Sequence, residues 1–349
     1  LIGVLAGKKP QGAASLGDVT ALAANPLDQR AVNGVIAARA RATGDLARAL
    51  RETGLLRQLG WRNTAALQNL LWRGGTTQDF PLIMDTLDAL LRRQKLLFQI
   101  YPVLNLMTTN ARFRELLVER LDGRPSWRGY YFLSATDLSR PEEIEGRYLV
   151  MREIQRRGDK LTRNEVAPIL PKLISIGQTP QAFDLWRTQA GAATTPLADM
   201  NFALAAKPLI GDALPISFEW QLASGSGYVV DAGRDERGSF ASIDWNGRGT
   251  PTFMSQKTTG RAGRYRLIVL GDPPMASLAD RIGFRLLCAD GKSTDFGRVA
   301  APGTRQVQFV SSDRVACDFP ELQIYGLTLA STGSTSVVMR SIRLERTAP

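Results

Sequence analysis

The chain contains no histidine among its 349 residues. That absence removes the commonest general base, the Ser-His-Asp and Cys-His arrangements, and the zinc sites that rely on imidazole. Cysteine is nearly as scarce: Cys288 and Cys317 are the two present. They form no Cys-x-x-Cys pair and join no ligand cluster, so neither a metal site nor a dithiol redox centre is indicated. Each lies at the margin of a predicted strand, Cys288 closing RIGFRLLC and Cys317 opening CDFPELQIYG. A disulfide joining neighbouring strands is preferred over two buried thiols. Such a bond is worth roughly 3–4 kcal/mol in the chain-entropy account and belongs to an oxidising compartment.

Long apolar runs are also missing; none approaches the roughly 20 residues needed to span a bilayer. The opening LIGVLAG, followed by Lys8 and Lys9, reads as the end of something longer. A removed signal peptide and a membrane anchor fit it equally. Catalytic parts are absent as well. The carboxylate pairs Glu142/Glu143 and Asp235/Glu236 are sequence neighbours on expected surfaces, whereas paired catalytic carboxylates flank a cleft. The glycine-rich segments Gly225–Gly227 and Gly247–Gly249 do not join a strand to a helix, as a phosphate loop does. Asp290 and Asp295 lack the ligand spacing of a calcium loop. The expectation is therefore a non-enzyme without cofactor or metal.

What is present is ample for two ordinary cores: 44% hydrophobic and 22% charged residues. The net charge of +11 is uneven. Before Asp199 there are 27 Lys+Arg against 18 Asp+Glu, and from Asp199 onward 17 against 15. A basic first half suits anionic lipid, an acidic polymer or simply a solvated Arg-rich face. The basic residues are spread along helices and not bunched into an arm, which disfavours nucleic acid.

Helical periodicity fills residues 18–190. Two helix pairs, Asp28–Thr43 with Asp45–Leu59 and Thr64–Arg73 with Asp79–Arg93, superpose at a spacing of 34, with breaks at Gly44 and at Gly74-Gly75. Ala31 falls on Ala65, Ile36 on Leu70, Asp45 on Asp79, Leu46 on Phe80 and Ala49 on Ile83. Beyond them come Leu96–Thr108, Ala111–Leu121 and Trp127–Ala135, then capping boxes at Ser139–Glu142 and Thr162–Glu165. Gly177–Ala182 echoes Gly44–Ala49 and leads into Phe183, Leu185 and Trp186. Trp61, Trp127 and Trp186 are assigned to packing between helices.

After residues 191–215, a linker and the approach to a second domain, residues 216–349 alternate apolar and polar positions in short runs. The runs are Ile216–Leu222, Gly227–Asp231, Ser239–Trp245, Thr252–Gln256, Gly263–Leu270, Ile282–Cys288, Arg305–Val310, Glu321–Leu327 and Ser336–Leu344. This spacing predicts an antiparallel sandwich. Tyr265, Leu267 and Val269 share one face, and Trp220 belongs in the core.

The spacing of 34 and the fragment Gly44-Asp-Leu-Ala-Arg-Ala49 resemble the tetratricopeptide repeat. The resemblance implies an α-solenoid that binds a protein along the groove lined by the first helix of each pair. At the matching positions the groove candidates are Arg41, Gln68 and Trp72, with packing between helices the alternative for Trp72. Met200-Asn-Phe202 with Phe218-Glu-Trp220, then Gly263–Leu267, then Val337–Arg346 resemble the galactose-binding-like jelly rolls of carbohydrate-binding modules. That resemblance implies an exposed aromatic platform for sugar. Trp245, Tyr228 and Phe253 are its candidates, against the alternative of core aromatics. The pairing resembles uncharacterised bacterial envelope proteins. The expectation is a periplasmic or cell-envelope scaffold, associated with the membrane through its partner, whose solenoid docks on a protein, with a membrane complex foremost. The alternative is a module that binds glycan, including anionic polysaccharide, and a third reading has the arginines meet lipid headgroups.

Overall fold

The computed structural model describes residues 47, 61, 64–190, 195–207, 216–272, 278, 280–299, 305–327 and 333–347. The N-terminal segment 1–17, the first predicted helix pair apart from Ala47, and the groove candidate Arg41 lie outside the described residues. The chain divides into two compact units between Lys172 and Leu173. The described part of the first is helical, and the second carries an antiparallel sheet.

In the helical unit, α1 (Thr64–Thr77) runs through Gly74-Gly75, where a break was expected. The turn comes instead at Gln78, whose φ is +56°. Asp79 then caps α2 (Phe80–Arg92), its carboxylate accepting the Leu82 N–H at 3.0 Å. Gly74 serves packing: a Cβ there would lie 2.8 Å from Ile83 Cγ1 on the facing helix. Leu70, Ile83, Leu87 and Leu90 are buried, as amphipathic periodicity requires.

The unit continues through α3 (Leu97–Met107), α4 (Ala111–Asp122) and α5 (Arg128–Leu133), which tightens into a 3₁₀ turn over Ser134–Asp137. Next come α6 (Pro141–Arg156) and α7 (Arg163–Val166). The Thr162 capping box forms with both of its bonds, Glu165 N–H to Thr162 Oγ1 and Thr162 N–H to Glu165 Oε2. The Ser139 box does not. Arg140 stands at the cap without a side-chain bond, and Pro141 starts the helix through its preset φ.

The boundary between the units falls earlier than residue 190. Within α8 (Leu170–Ser175) the chain passes to the second unit, which includes α9 (Thr179–Ala190). The reason is aromatic. Trp186 lies 5.7 Å from Phe183 and 5.5 Å from Phe218, and Phe183 reaches Phe319 at 6.0 Å. These rings draw the helix onto the segment that precedes the sheet.

Ten strands form the sheet: β1 (Gln221–Leu222), β2 (Tyr228–Asp235), β3 (Gly238–Trp245), β4 (Thr252–Lys257), β5 (Tyr265–Gly271), β6 (Ile282–Leu287), β7 (Ser293–Arg298), β8 (Gln306–Ser311), β9 (Glu321–Gly326) and β10 (Thr335–Arg346). Their order is β1-β4-β9-β6-β7-β8-β5-β10-β3-β2, and every pairing is antiparallel. β7 joins the two faces, pairing with β6 through Asp295 and with β8 through Phe296. The result is sandwich-like and nearly closed. Alternation works as expected on β5, where Tyr265, Leu267 and Val269 are buried.

The predicted opening strand is shorter than Ile216–Leu222, because Ile216–Trp220 is taken up by turn. Trp220 is nevertheless buried, its indole N–H donating to the Asp199 carbonyl at 2.8 Å. Asp199 in turn accepts the N–H groups of Leu204 and Ala205, and its burial pushes the carboxyl's pKa up.

Cys288 and Cys317 are bonded, with Cα atoms 5.9 Å apart and a sequence separation of 29. The bond ties the end of β6 to the segment entering β9. Replacing both cysteines by serine is expected to destabilise the strand unit by roughly 2–4 kcal/mol. Urea unfolding followed by near-UV circular dichroism checks this; an unchanged transition contradicts it.

Candidate functional site

The helices of the first unit are joined by two buried arginines. Arg128, at the start of α5, donates through Nε to Glu165 at 2.7 Å, through Nη1 to the Leu121 carbonyl at 3.0 Å and also to Asp159. Burial pulls its pKa down, but the hydrogen bonds and charges of Glu165 and Asp159 outweigh this and raise it. α5 is thereby fixed to the end of α4 and to the start of α7. Beside it the Trp127 indole donates to Asp88 at 2.8 Å, and Asp88 also holds Arg92.

Arg147 of α6 is fully buried and, among the described residues, forms no ion pair; the carboxylate of Glu143, one turn earlier and paired with Arg140, acts on it through its charge. Its Nη1 donates to the Tyr131 carbonyl, and Nη2 to Asn105 Oδ1 of α3 and to Ser134 Oγ at 3.3 Å. The guanidinium carbon lies 3.5 Å from the centre of the Tyr131 ring, so the ring face supplies the negative potential that a counter-ion otherwise would. Burial lowers its pKa, opposed by Tyr131, yet a guanidinium stays ionised in a protein. Gly146, the preceding residue, lets α6 come this close: a Cβ there would lie 2.6 Å from Thr108 Oγ1 and 3.0 Å from Thr108 O. Neither arginine was singled out from the sequence. A signal exists, since Ile144, Arg147, Met151 and Ile154 follow the spacing of an apolar stripe.

Gln68 and Trp72 sit four residues apart on α1 and share a face, Gln68 exposed and Trp72 half-buried. The three sugar-platform candidates come together in the strand unit. The Phe253 ring is 5.5 Å from both Tyr228 and Trp245, with edge-to-face geometry. Trp245 is 3% exposed and Phe253 fully buried. Trp245 sits against Gly326 of β9, where a Cβ would lie 2.8 Å from its ring, and its N–H donates to the Arg248 carbonyl at 3.0 Å. Tyr228 is half-buried and is the ring of the three that meets solvent.

Another constellation in the strand unit was not foreseen. The pairing of β10 shifts register between Met339 and Ser341, and Arg340 falls in the irregularity. Its guanidinium gathers Asp235 at 2.7 Å and Asp272 at 2.6 Å, lies 5.2 Å from the Phe240 ring centre, and shares Asp272 with Arg237. The hydrogen bonds to Arg340 hold both carboxylates below their ordinary pKa. Such an irregularity re-aims a side chain; here it ties β2, β10 and the end of β5 together. The cluster is paired throughout and offers no free acid or base.

Among the described residues no group of three or more cysteines and carboxylates is placed to hold a metal ion. Among them too, no helix is long and apolar enough to cross a membrane. The disulfide is compatible with a location outside the cytoplasm. Neither the comparison with protein-family models nor that with curated proteins finds a match to this chain.

Burial, reinforced by neighbouring Tyr130, pushes the Tyr101 hydroxyl from an ordinary pKa of 10.0 up to about 12. Between these values the unfolded chain loses the proton while the folded chain keeps it. Stability from this group is therefore full below about pH 10 and declines as pH rises toward 12. In an absorbance titration, Tyr101→Phe is expected to remove amplitude from the late alkaline phase alone; loss from the phase near pH 10 contradicts the assignment.

Proposed function

We propose that this chain is a non-enzymatic scaffold or accessory subunit of the bacterial cell envelope. Its helical unit is read as a tetratricopeptide-like solenoid that docks on a protein, within a membrane complex. Its strand unit is read as a jelly roll serving as structural support or as a second contact surface. The observation that carries the reading is how the polar groups are used. Arg128, Arg147, Asp88, Glu165, Asp199 and Arg340 all join backbone elements to one another, whereas Gln68 faces outward from the first helix of a pair. A groove of this kind needs outward polar and aromatic side chains on a rigid frame.

The glycan reading is weaker on geometry. Sugar stacks on an open ring face, and of Trp245, Tyr228 and Phe253 it is Tyr228 that meets solvent. Contact with anionic polysaccharide would have to begin there.

Gentle detergent extraction of native membranes, followed by mass spectrometry, tests the scaffold reading. The expected result is a stoichiometric complex that Gln68→Arg disrupts while the far-UV spectrum is unchanged. Recovery of a free monomer from the soluble envelope fraction contradicts it.

A further inference from the structure

Asn246-Gly247 is the one Asn-Gly pair among the described residues; Asn33-Gly34, also present in the sequence, lies outside them. The pair follows β3 directly, and Asn246 is exposed. Its glycine is fixed by the surroundings. Gly247 has a φ of +80°, and a Cβ there would lie 2.7 Å from the Gly333 carbonyl oxygen. Both features call for a residue without a side chain. Asn246 is thus followed by the least hindered kind of peptide nitrogen.

The asparagine is held as firmly. Its N–H donates to the Gly227 carbonyl at 2.9 Å, and its Oδ1 accepts the Arg248 N–H at 3.0 Å. The second bond closes an Asx turn, which curls the side-chain amide back over the Gly247 peptide unit. The Trp245 indole donates to the Arg248 carbonyl at 3.0 Å and anchors the far end of the turn. Nδ2 lies against Gly227, where a Cβ would come within 2.4 Å of it. Among the described residues no acceptor takes the Gly247 N–H.

These are the parts of an intramolecular acyl transfer. Asn246 Cγ is the electrophile and the Gly247 nitrogen the nucleophile, held on neighbouring residues. The Arg248 N–H donates to the oxygen on which negative charge develops. Other asparagines lack one part or another. Asn105 is buried, Asn110 caps α4 ahead of Ala111, and the exposed Asn201 precedes the buried Phe202.

We infer that Asn246 is a site of spontaneous covalent modification, its side chain closing on the Gly247 nitrogen to form a succinimide. A bond forms from Gly247 N to Asn246 Cγ. The Cγ–Nδ2 bond breaks, and the Gly247 amide proton leaves with Nδ2 as ammonia. Water then adds to either succinimide carbonyl, giving aspartate or isoaspartate. Each product sets a new carboxylate two residues from the exposed Asp244. Isoaspartate also lengthens the backbone by a methylene just where Gly247 packs on Gly333. The inference is independent of the scaffold reading, because the reaction needs no partner.

Incubation of the full chain in heavy-oxygen water at neutral and mildly alkaline pH, then tryptic digestion in ordinary water, tests it. The label marks product formed before digestion, and the peptide Gly238–Arg248 carries the site. Labelled aspartate and isoaspartate are expected there, ahead of any change at Asn105, Asn110 or Asn201. Accumulation is expected to quicken with pH, since loss of the Gly247 amide proton frees the nucleophile. Asn246→Gln, whose longer side chain must close a larger ring, is expected to lose both products while keeping the far-UV spectrum. An Asn246 that stays intact in the folded chain, while the chain unfolded in guanidinium reacts, overturns the inference because the fold then protects the site. An Asn246 intact in both states overturns it as well, and so does equal product at Asn110 or Asn201.

Discussion

A guanidinium fully buried with no ion pair among the described residues is the constraint on which the helical unit turns. Removing an ion from water costs several kcal/mol even after relaxation, so Arg147 persists because its surroundings replace most of the lost hydration, its Nε being left without a hydrogen-bond partner among the described residues. Those surroundings come from separate pieces of chain: Asn105 on α3, the Tyr131 ring and carbonyl on α5, and Ser134 just beyond. A shift of any one element leaves donors unpaired in the core, so the charge specifies an arrangement that apolar contacts alone would leave looser. Gly146 is part of the same device, because α6 approaches Thr108 too closely for a side chain. Arg128 does comparable work by another route, with two carboxylates to balance it.

The strand unit meets its constraints with bulk and covalent closure. Trp245 fills the space above Gly326, the disulfide closes the segment between β6 and β9, and β7 carries the sheet from one face to the other. Arg340 supplies the polar counterpart at the irregularity in β10. In both units most charged side chains near the core are committed to neighbours.

Much of the architecture was legible because periodicity reports burial. All nine apolar runs of the second half contain strands, and the disulfide followed from two cysteines at strand margins. β7 was missed because Ser293–Arg298 carries no buried position and hence no apolar alternation. The opening strand was overread because Phe218 and Trp220 alternate like strand residues, while one packs on Trp186 and the other hydrogen-bonds Asp199. Gly74-Gly75 looked like a break because glycine is read as conformational freedom; here its lack of a Cβ is what matters. Among the candidate site residues, sequence alone does not distinguish a tryptophan on a sheet surface from one against a glycine of the opposing face. Arg147 was hidden for the converse reason, since an arginine in a basic helix is read as solvated unless it is noticed in line with Ile144 and Met151.

The account rests most directly on Arg147 acting through Asn105 and not as an isolated buried charge. A double-mutant cycle measures this, with Arg147→Met, Asn105→Leu and the double variant compared by urea unfolding of the helical unit. Coupling of at least about 1 kcal/mol is expected, because each single change leaves a buried partner unpaired while the double change removes both. Strict additivity would contradict the account and reduce Arg147 to one packing residue among many.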